Sequence, residues 1–340
     1  MTSYQAVSHR LRRMMTILLL VLLAVLSVSC ASSEAGKAPV PGEADKPAAS
    51  QTAASEQPAQ RIVQHDAGQT TVTGEPQKIA TLDYRLADQL LALGIKPYAS
   101  ATYMGSLELP YLDRDALTGV IPLGDTPNLE AVAEAEPDLI LSRDAKVYDE
   151  LSKIAPTAIL EPPTDWRTGF LTTGDIVNKQ EEARKWLEQY DQQLTEARKR
   201  IAEHVKPGET FMYLRIQPKV IRVYGPNHGF AEVLFSGLGL TPAPGIESIE
   251  RAEQISLESL PNYNPDYLFL EVGNSDEDAA AQADYETYAA TSVWRNLNAV
   301  KQGRVYSVPH WTISDYPLIK ENSLALIVHE LTEGSGAAPK

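Results

Sequence analysis

The sequence predicts an α/β protein of two lobes, each a parallel sheet covered by helices, joined by one long α-helix with a ligand cleft between the lobes. Three observations carry this expectation. The first is a pattern present twice. Leu129-Glu130-Ala131-Val132, followed after four residues by Pro137-Asp138-Leu139-Ile140-Leu141, returns as Leu257-Glu258-Ser259-Leu260, followed after four by Pro265-Asp266-Tyr267-Leu268-Phe269-Leu270. A second echo precedes each copy, Leu93-Gly94-Ile95-Lys96-Pro97 and Leu238-Gly239-Leu240-Thr241-Pro242. Two copies of one unit imply two similar lobes, and clefts between lobes favour ligands. The second observation is strand–helix alternation with near-continuous apolar strands, which argues a parallel sheet buried on both faces. The third is a long amphipathic helix between the copies.

In the first lobe, Lys78 to Leu82 reads as a strand. Arg85 to Leu93 carries helical spacing through Leu86, Leu90 and Leu93, and Gly94 suits its C-terminal cap. Lys96 to Ser100 reads as a second strand. Leu129 to Glu134 reads as a helix capped by Asn128. Pro137 ends it, and Asp138 to Leu141 follows as a buried strand. Val147 to Ile154 and Thr157 to Leu160 give a further helix and strand.

The connecting helix is expected over 173–205, with its clearest pattern from Asn178 to His204. Ala183, Trp186, Leu187, Tyr190, Leu194, Ala197 and Ile201 recur at three- and four-residue steps. Asn178 with Glu181 fits a capping box, and Pro207-Gly208 closes the segment. Such a helix spans on the order of 40 Å at ~1.5 Å per residue. A packed helix between lobes predicts a small closure about a largely preformed cleft.

The second lobe repeats the order. Phe211 to Leu214 and Val220 to Tyr224 read as strands, Gly229 to Gly237 as helix, and Leu257 to Leu260 as the start of a short helix. Tyr267 to Val272 and Val305 to Val308 read as strands, and Ser323 to Leu331 as a closing helix. The lobes, Rossmann-like in this reading, occupy 61–172 and 206–333.

The N-terminus addresses the chain. Arg10, Arg12 and Arg13 precede an apolar run from Thr16 to Ser29, too short to span a bilayer and suited to a signal peptide over 1–30. Cys30, the single cysteine, stands at its end, as a bacterial lipidation site does; Leu26 lies four residues before it rather than the usual three. Residues 31–60 are polar and small and read as a flexible tether. Residues 334–340 read as a disordered tail. The expected location is the extracytoplasmic face of the cell membrane, held by the lipid anchor. With one cysteine, no disulfide forms within the chain.

The 340 residues carry a net charge of −15, with an isoelectric point near 4.9. That argues against nucleic acid as a partner, because phosphate binding needs a basic footprint. The sequence contains no Walker loop, GxSxG, HExxH or CxxC.

Together these residues resemble the substrate-binding lipoproteins of iron–siderophore and cobalamin ABC importers, over about 60–333. The motifs are Asn128-Leu129-Glu130 with Pro137-Asp138-Leu139-Ile140, the run from Ser292-Val293-Trp294-Arg295-Asn296 to Gly303-Arg304-Val305-Tyr306, and Arg222-Val223-Tyr224-Gly225-Pro226-Asn227. The last is similar to the ferric-siderophore branch. The resemblance implies a monomeric binding protein, not an enzyme, that delivers a ferric siderophore to permease subunits with their ATPase. It implies no cofactor and no protein metal ligands, since the siderophore chelates the iron. It also implies that Glu130 and Glu258, one per lobe, dock into basic pockets of the permease. Matched exposed carboxylates can pair with arginines on two related subunits and set orientation. The plainer role of each is a first-turn glutamate favoured by the helix dipole.

A siderophore of the citrate or hydroxamate type asks for arginines facing its oxygens and aromatic rings facing its scaffold. At the loops that leave strands, the candidates are Tyr84, Arg85, Tyr103 and Arg143 in the first lobe and Arg215, Arg222, His228 and Trp311 in the second. Trp166, just before the connecting helix, is a candidate for the cleft floor. Trp186 and Trp294 read as structural. Relatives of the hydroxamate type carry an arginine near the start of the Gly229 helix, where this chain reads His228-Gly229-Phe230-Ala231.

Other readings predict different residues. Cobalamin or haem keeps the fold, haem wanting an axial ligand such as Met104, His228 or Tyr103. Direct capture of zinc or manganese needs converging histidines and carboxylates, and the histidines here are scattered. A secreted hydrolase would use His310 or His228, with no nucleophile motif beside them.

Overall fold

The computed structural model describes residues 59–275 and 278–334. The expected signal peptide, Cys30 and nearly all of the tether lie outside the described residues, as does most of the tail. Among the described residues no helix is long and apolar enough to cross a membrane.

The first lobe opens with an antiparallel hairpin, β1 (Gln60–His65) and β2 (Gly68–Thr73). Sequence reading did not foresee it, and it starts at the residue where the tether was expected to end. The signal is a short alternation: Val63 and Val72 point into the lobe's core while polar neighbours face out. Arg61 donates to the carbonyls of Asp175 and Ile176 at 3.0 and 2.7 Å, fastening the hairpin.

The chain continues through β3 (Ile79–Thr81), α1 (Tyr84–Ala92), β4 (Ala99–Ser100), β5 (Ile121–Pro122), α2 (Leu129–Glu134), β6 (Leu139–Ser142), α3 (Tyr148–Leu151) and β7 (Thr157–Ile159). The five strands after the hairpin form one parallel sheet in the order β5-β4-β3-β6-β7. Asn128 caps α2, accepting from the Ala131 N–H at 2.8 Å. The helix expected over Val147 to Ile154 is a 3₁₀ turn followed by the single turn of α3.

Two helices lead to the second lobe, α4 (Trp166–Ile176) and α5 (Gln180–Ala202). This corrects the expected spine. Asn178 is not the N-cap of α5: it lies at φ 60, in the left-handed region, just past the end of α4, and turns the chain between the two helices. Lys179 occupies the cap position and makes no side-chain capping bond, so the Asn178–Glu181 capping box does not form. The expected boundary at 173 cuts through α4. The 23 residues of α5 span about 35 Å at ~1.5 Å per residue. Its buried stripe is the one expected: Ala183, Tyr190, Leu194, Ala197 and Ile201. Trp186 and Leu187 pack against the cores of both lobes, so the spine is a shared seam.

The second lobe holds β8 (Thr210–Gln217), β9 (Val220–Tyr224), α6 (Gly229–Glu232) running into a π-turn to Gly237, β10 (Thr241–Pro242), β11 (Ala252–Ile255), α7 (Leu260–Tyr263), β12 (Tyr267–Val272), α8 (Ala279–Ala289), α9 (Ser292–Arg295), α10 (Asn298–Lys301), β13 (Val305–Ser307) and α11 (Pro317–Thr332). Its sheet runs β11-β9-β8-β12-β13, with β10 beside β8. The pairs β12–β8, β12–β13 and β10–β8 are parallel. On the other side β9 is antiparallel to both β8 and β11, so this sheet is parallel at its core with an antiparallel flank. The cause is the short connection through Pro218 and Lys219, the latter at φ 63, which can only reverse the chain. The closing helix begins six residues earlier than expected, with Pro317 in its first turn.

The repeated motif does the same structural work in both lobes. Asp138 accepts the N–H groups of Gln77 and Lys78 at 2.8 and 2.9 Å, just ahead of β3. Asp266 accepts the Thr210 N–H at 2.9 Å, at the start of β8. Each repeat therefore delivers a central strand and fixes its neighbour.

Candidate functional site

A cavity of about 820 Å³ lies between the lobes, with walls from α1, the β6 exit, α4, the β9–α6 loop, the segment before β11 and the entry to α11. This size suits a small organic ligand.

The first-lobe wall is built on Asp83. Its carboxylate accepts the Arg85 backbone N–H at 2.9 Å and so caps α1. The same carboxylate holds the Arg85 Nε at 2.8 Å and the Arg143 Nη1 at 3.0 Å. One acid thus aligns two arginines that line the cavity. Arg143 lies over the Tyr316 ring, 5.6 Å from its centroid, and Arg85 over the Tyr84 ring at 4.9 Å. The buried Nε of Arg143 makes no hydrogen bond among the described residues.

The floor is the start of α4. Asp165 caps it through the N–H groups of Arg167 and Thr168 at 3.1 and 3.2 Å. That sets Trp166 and Arg167 at the cavity, the guanidinium 5.0 Å from the indole. Trp166 meets Trp186 and Tyr190 of the spine edge-on.

The second-lobe wall rests on a buried charge cluster. Lys320, with no exposed surface, sends its ammonium to Asp315 at 2.6 Å, Glu232 at 2.8 Å and the Gly229 carbonyl at 2.8 Å. The other oxygen of Asp315 meets His228 Nδ1 at 2.6 Å. Burial works to raise the Asp315 pKa, but the Lys320 ammonium and His228 outweigh it and hold the carboxyl well below the usual range. Arg251 Nη2 stands 3.4 Å from His228 Nε2. Gly229 makes this approach feasible: it sits at φ 55, and a Cβ there would lie 2.7 Å from the Ile313 carbonyl oxygen.

Of the residues expected at the cleft, Arg85, Arg143, Trp166 and His228 line this cavity together. Tyr84 and Tyr103 stand beside it, their rings 4.6 Å apart. The Tyr103 hydroxyl and the His310 ring of the other lobe share a hydrogen bond. Trp311 packs on Tyr111 at 5.3 Å in an apolar cluster that joins first-lobe residues 109–120 to Tyr316 and Ile319. Arg215 and Arg222 are opposite one another in the β8–β9 register and do not line the cavity. Arg215 pairs with buried Glu271 at 2.7 Å, and Arg222 bonds Gln217. Sequence reading missed Arg167, Arg251, Asp315, Tyr316 and Lys320. Ser-Asp-Tyr-Pro, a helix-start signal, could have flagged Asp315 and Tyr316. Trp294 is buried against Tyr285, as a structural residue should be.

Glu130 lies in the first turn of α2 and Glu258 on the 3₁₀ turn Leu257–Ser259. Both are exposed, and among the described residues neither forms an ion pair. Among the same residues no three His, Cys, Asp or Glu side chains gather as a metal site.

A periplasmic binding protein family model matches residues 79–311. The HTH-type transcriptional activator Btr of Bacillus subtilis is 36% identical over 182 residues, 53% of this chain but 33% of that protein, so the chain spans a third of its length. The probable siderophore-binding lipoprotein YfiY of Bacillus subtilis is 28% identical over 269 residues, covering 74% of this chain and 82% of that one. Among solved structures, Staphylococcus aureus SirA complexed with staphyloferrin B superposes with a TM-score of 0.68 at 25% identity, over 81% of this chain and 98% of that chain.

Proposed function

The chain belongs to the periplasmic binding protein family, and on that premise we propose that it captures a ferric siderophore between its lobes and delivers it to the permease of an ABC importer. The family is one of binding proteins, so the chain is not an enzyme. The observation that carries the reading is the gathering of Arg85, Arg143, Arg167 and Arg251 around one cavity, with the rings of Trp166 and Tyr316. Ferric complexes of carboxylate or hydroxamate chelators present many oxygens around an organic scaffold. Guanidinium groups suit those oxygens and aromatic faces suit the scaffold. The similarity to YfiY, a probable siderophore-binding lipoprotein, and to SirA, solved with staphyloferrin B, supports the same class.

In this reading the iron is cargo, held by its chelator, and the protein forms no covalent bond to it. Citrate-type and hydroxamate-type ligands are favoured. The protein acts as a monomer, anchored through lipidated Cys30 on the extracytoplasmic face of the membrane. The packed seam of α5 limits lobe movement, so a small closure presents Glu130 and Glu258 to the permease and its ATPase.

Native mass spectrometry tests the ligand class. The purified protein is mixed in turn with ferric citrate, a ferric citrate-hydroxamate, ferrioxamine, a ferric catecholate, haem and cobalamin. A one-to-one complex with a ferric siderophore is expected. A complex with haem or cobalamin alone would keep the import role and overturn the ligand.

A further inference from the structure

Residues 101–120 connect β4 to β5 with one isolated bridge, Tyr103 to Ser106, and no helix or longer strand. Connections of this length inside a compact fold are usually functional. The bridge closes a two-residue turn whose central residues are both left-handed, Met104 at φ 51 and Gly105 at φ 77. Methionine in that region is costly and persists only where its surroundings hold it. Here Tyr103 and Ser106 exchange backbone hydrogen bonds at 2.7 and 3.1 Å, and the Asp125 carboxylate accepts the Gly105 N–H at 2.9 Å together with the Thr102 hydroxyl. The turn fixes Tyr103 between the Tyr84 ring at 4.6 Å and the His310 ring at 5.9 Å.

The connection meets the segment between β13 and α11 at two grips. At the first, Tyr103 is hydrogen-bonded to His310 and Tyr111 packs on Trp311 at 5.3 Å. At the second, Leu109, Leu117 and Val120 are buried with Tyr316 and Ile319, and Asp88 holds the Leu318 N–H at 3.0 Å. Between the grips, Ile313 to Tyr316 line the cavity. One short piece of chain is thus held by the first lobe at both ends and forms the second-lobe wall in the middle.

We propose that residues 101–120 are a clasp that sets this wall, and that Tyr103 and Trp311 are positioning residues of the clasp rather than ligand contacts. Neither lines the cavity. The clasp is a second joint between the lobes besides α5, and two joints permit less relative motion than one. It holds the lobes in the receptive arrangement before ligand arrives. When it loosens, apparent affinity falls with the fraction of molecules that keep the wall in place. That effect on affinity rests on the reading of the cavity as a siderophore site; the clasp itself does not.

Spin-label distances in the empty protein test the clasp. Nitroxides at Glu134→Cys and Asn262→Cys, both exposed and at matching positions of the two repeats, report the separation of the lobes, and Cys30→Ser leaves them the only thiols. One narrow distance distribution is expected for this parent. Tyr103→Phe and Trp311→Phe each keep an aromatic ring and should give a broader distribution reaching longer distances. Tyr148→Phe removes a hydroxyl that meets Thr70 of the β1–β2 hairpin at 3.3 Å, away from the clasp, and should match the parent. Affinity for a ferric citrate-hydroxamate should weaken roughly 2- to 10-fold in Tyr103→Phe, the worth of one hydrogen bond. A broad distribution in the parent overturns the proposal, as do unchanged distances in both clasp variants or equal broadening in Tyr148→Phe. Weaker binding with unchanged distances would make Tyr103 a ligand contact and overturn it too. Distances that respond as expected in a protein that binds no ferric siderophore would uphold the clasp and overturn the ligand reading.

Discussion

Asp88 of the first lobe accepts the Leu318 N–H of the closing helix at 3.0 Å, so a fully buried carboxyl ties α1 to the start of α11 across the lobes. Tyr316, which caps that helix, lines the cavity two residues away. The mouth of the cavity and the attachment of α11 are therefore one piece of structure. Movement of the lobes here must carry Tyr316 with it or break this bond.

Burial lifts the Asp88 pKa to about 7 against the pull of its hydrogen bonds, and lifts Glu271 to about 8 against Arg215 and Tyr213. Both values exceed those of the unfolded chain, so the native state binds more protons between the two. Stability from these groups is present below the unfolded carboxyl pKa and is lost as pH rises through about 7 and about 8. The melting temperature should fall between about pH 5 and about pH 8 and level off above, and Asp88→Asn, which keeps the acceptor, should flatten the fall. A melting temperature that rises across this range would contradict the assignment.

Two arginines should separate binding from stability. Arg143→Ala removes a cavity donor held by Asp83 and should weaken ligand binding by roughly 10- to 100-fold, the worth of a charged hydrogen bond. Arg215→Ala removes the donor that holds buried Glu271 at 2.7 Å and should lower stability, most strongly above about pH 8 where Glu271 is ionised. Its ligand affinity, measured well below its melting temperature, should stay near that of the parent.

Gly225 stands where β9 passes the segment leading to β11. A Cβ there would lie 1.8 Å from the Ile249 carbonyl oxygen, and the Gly225 N–H donates to the Arg251 carbonyl at 3.0 Å. Gly225→Ala should push that segment outward, lower stability by about 2 kcal/mol or more, and weaken binding through Arg251. Thermal melts and ligand titrations of this variant check both effects.

Glu130 and Glu258 should matter only with the permease present. The double change to Ala should leave ligand affinity near normal and abolish iron uptake by cells. Retained uptake would sink their docking role.

Much of this was readable in the sequence, for physical reasons. The duplicated Pro-Asp-apolar motif named the two central strands because proline ends a helix and the aspartate then fixes the adjoining strand, as Asp138 and Asp266 both do. The stripe of α5 was readable because burial follows helical period. Less readable was whatever depends on contacts between distant segments. Lys320 breaks the apolar pattern of α11 because its partners, Asp315 and Glu232, come from other turns of the chain. Arg215 looked like a cleft residue because it lies toward the end of a strand, yet Glu271 on the neighbouring strand holds it. Asn178 resembled a cap because asparagine serves equally in caps and in left-handed turns.

The most direct test is tryptophan fluorescence of the purified protein titrated with ferric siderophores, repeated with Trp166→Phe. Trp166 lines the cavity, whereas Trp186 and Trp294 pack within the fold. Saturable quenching at sub-micromolar ligand is expected, with much of its amplitude lost in Trp166→Phe. Silence toward every ferric siderophore, or quenching that Trp166→Phe leaves whole, would contradict the placement of the ligand between the lobes.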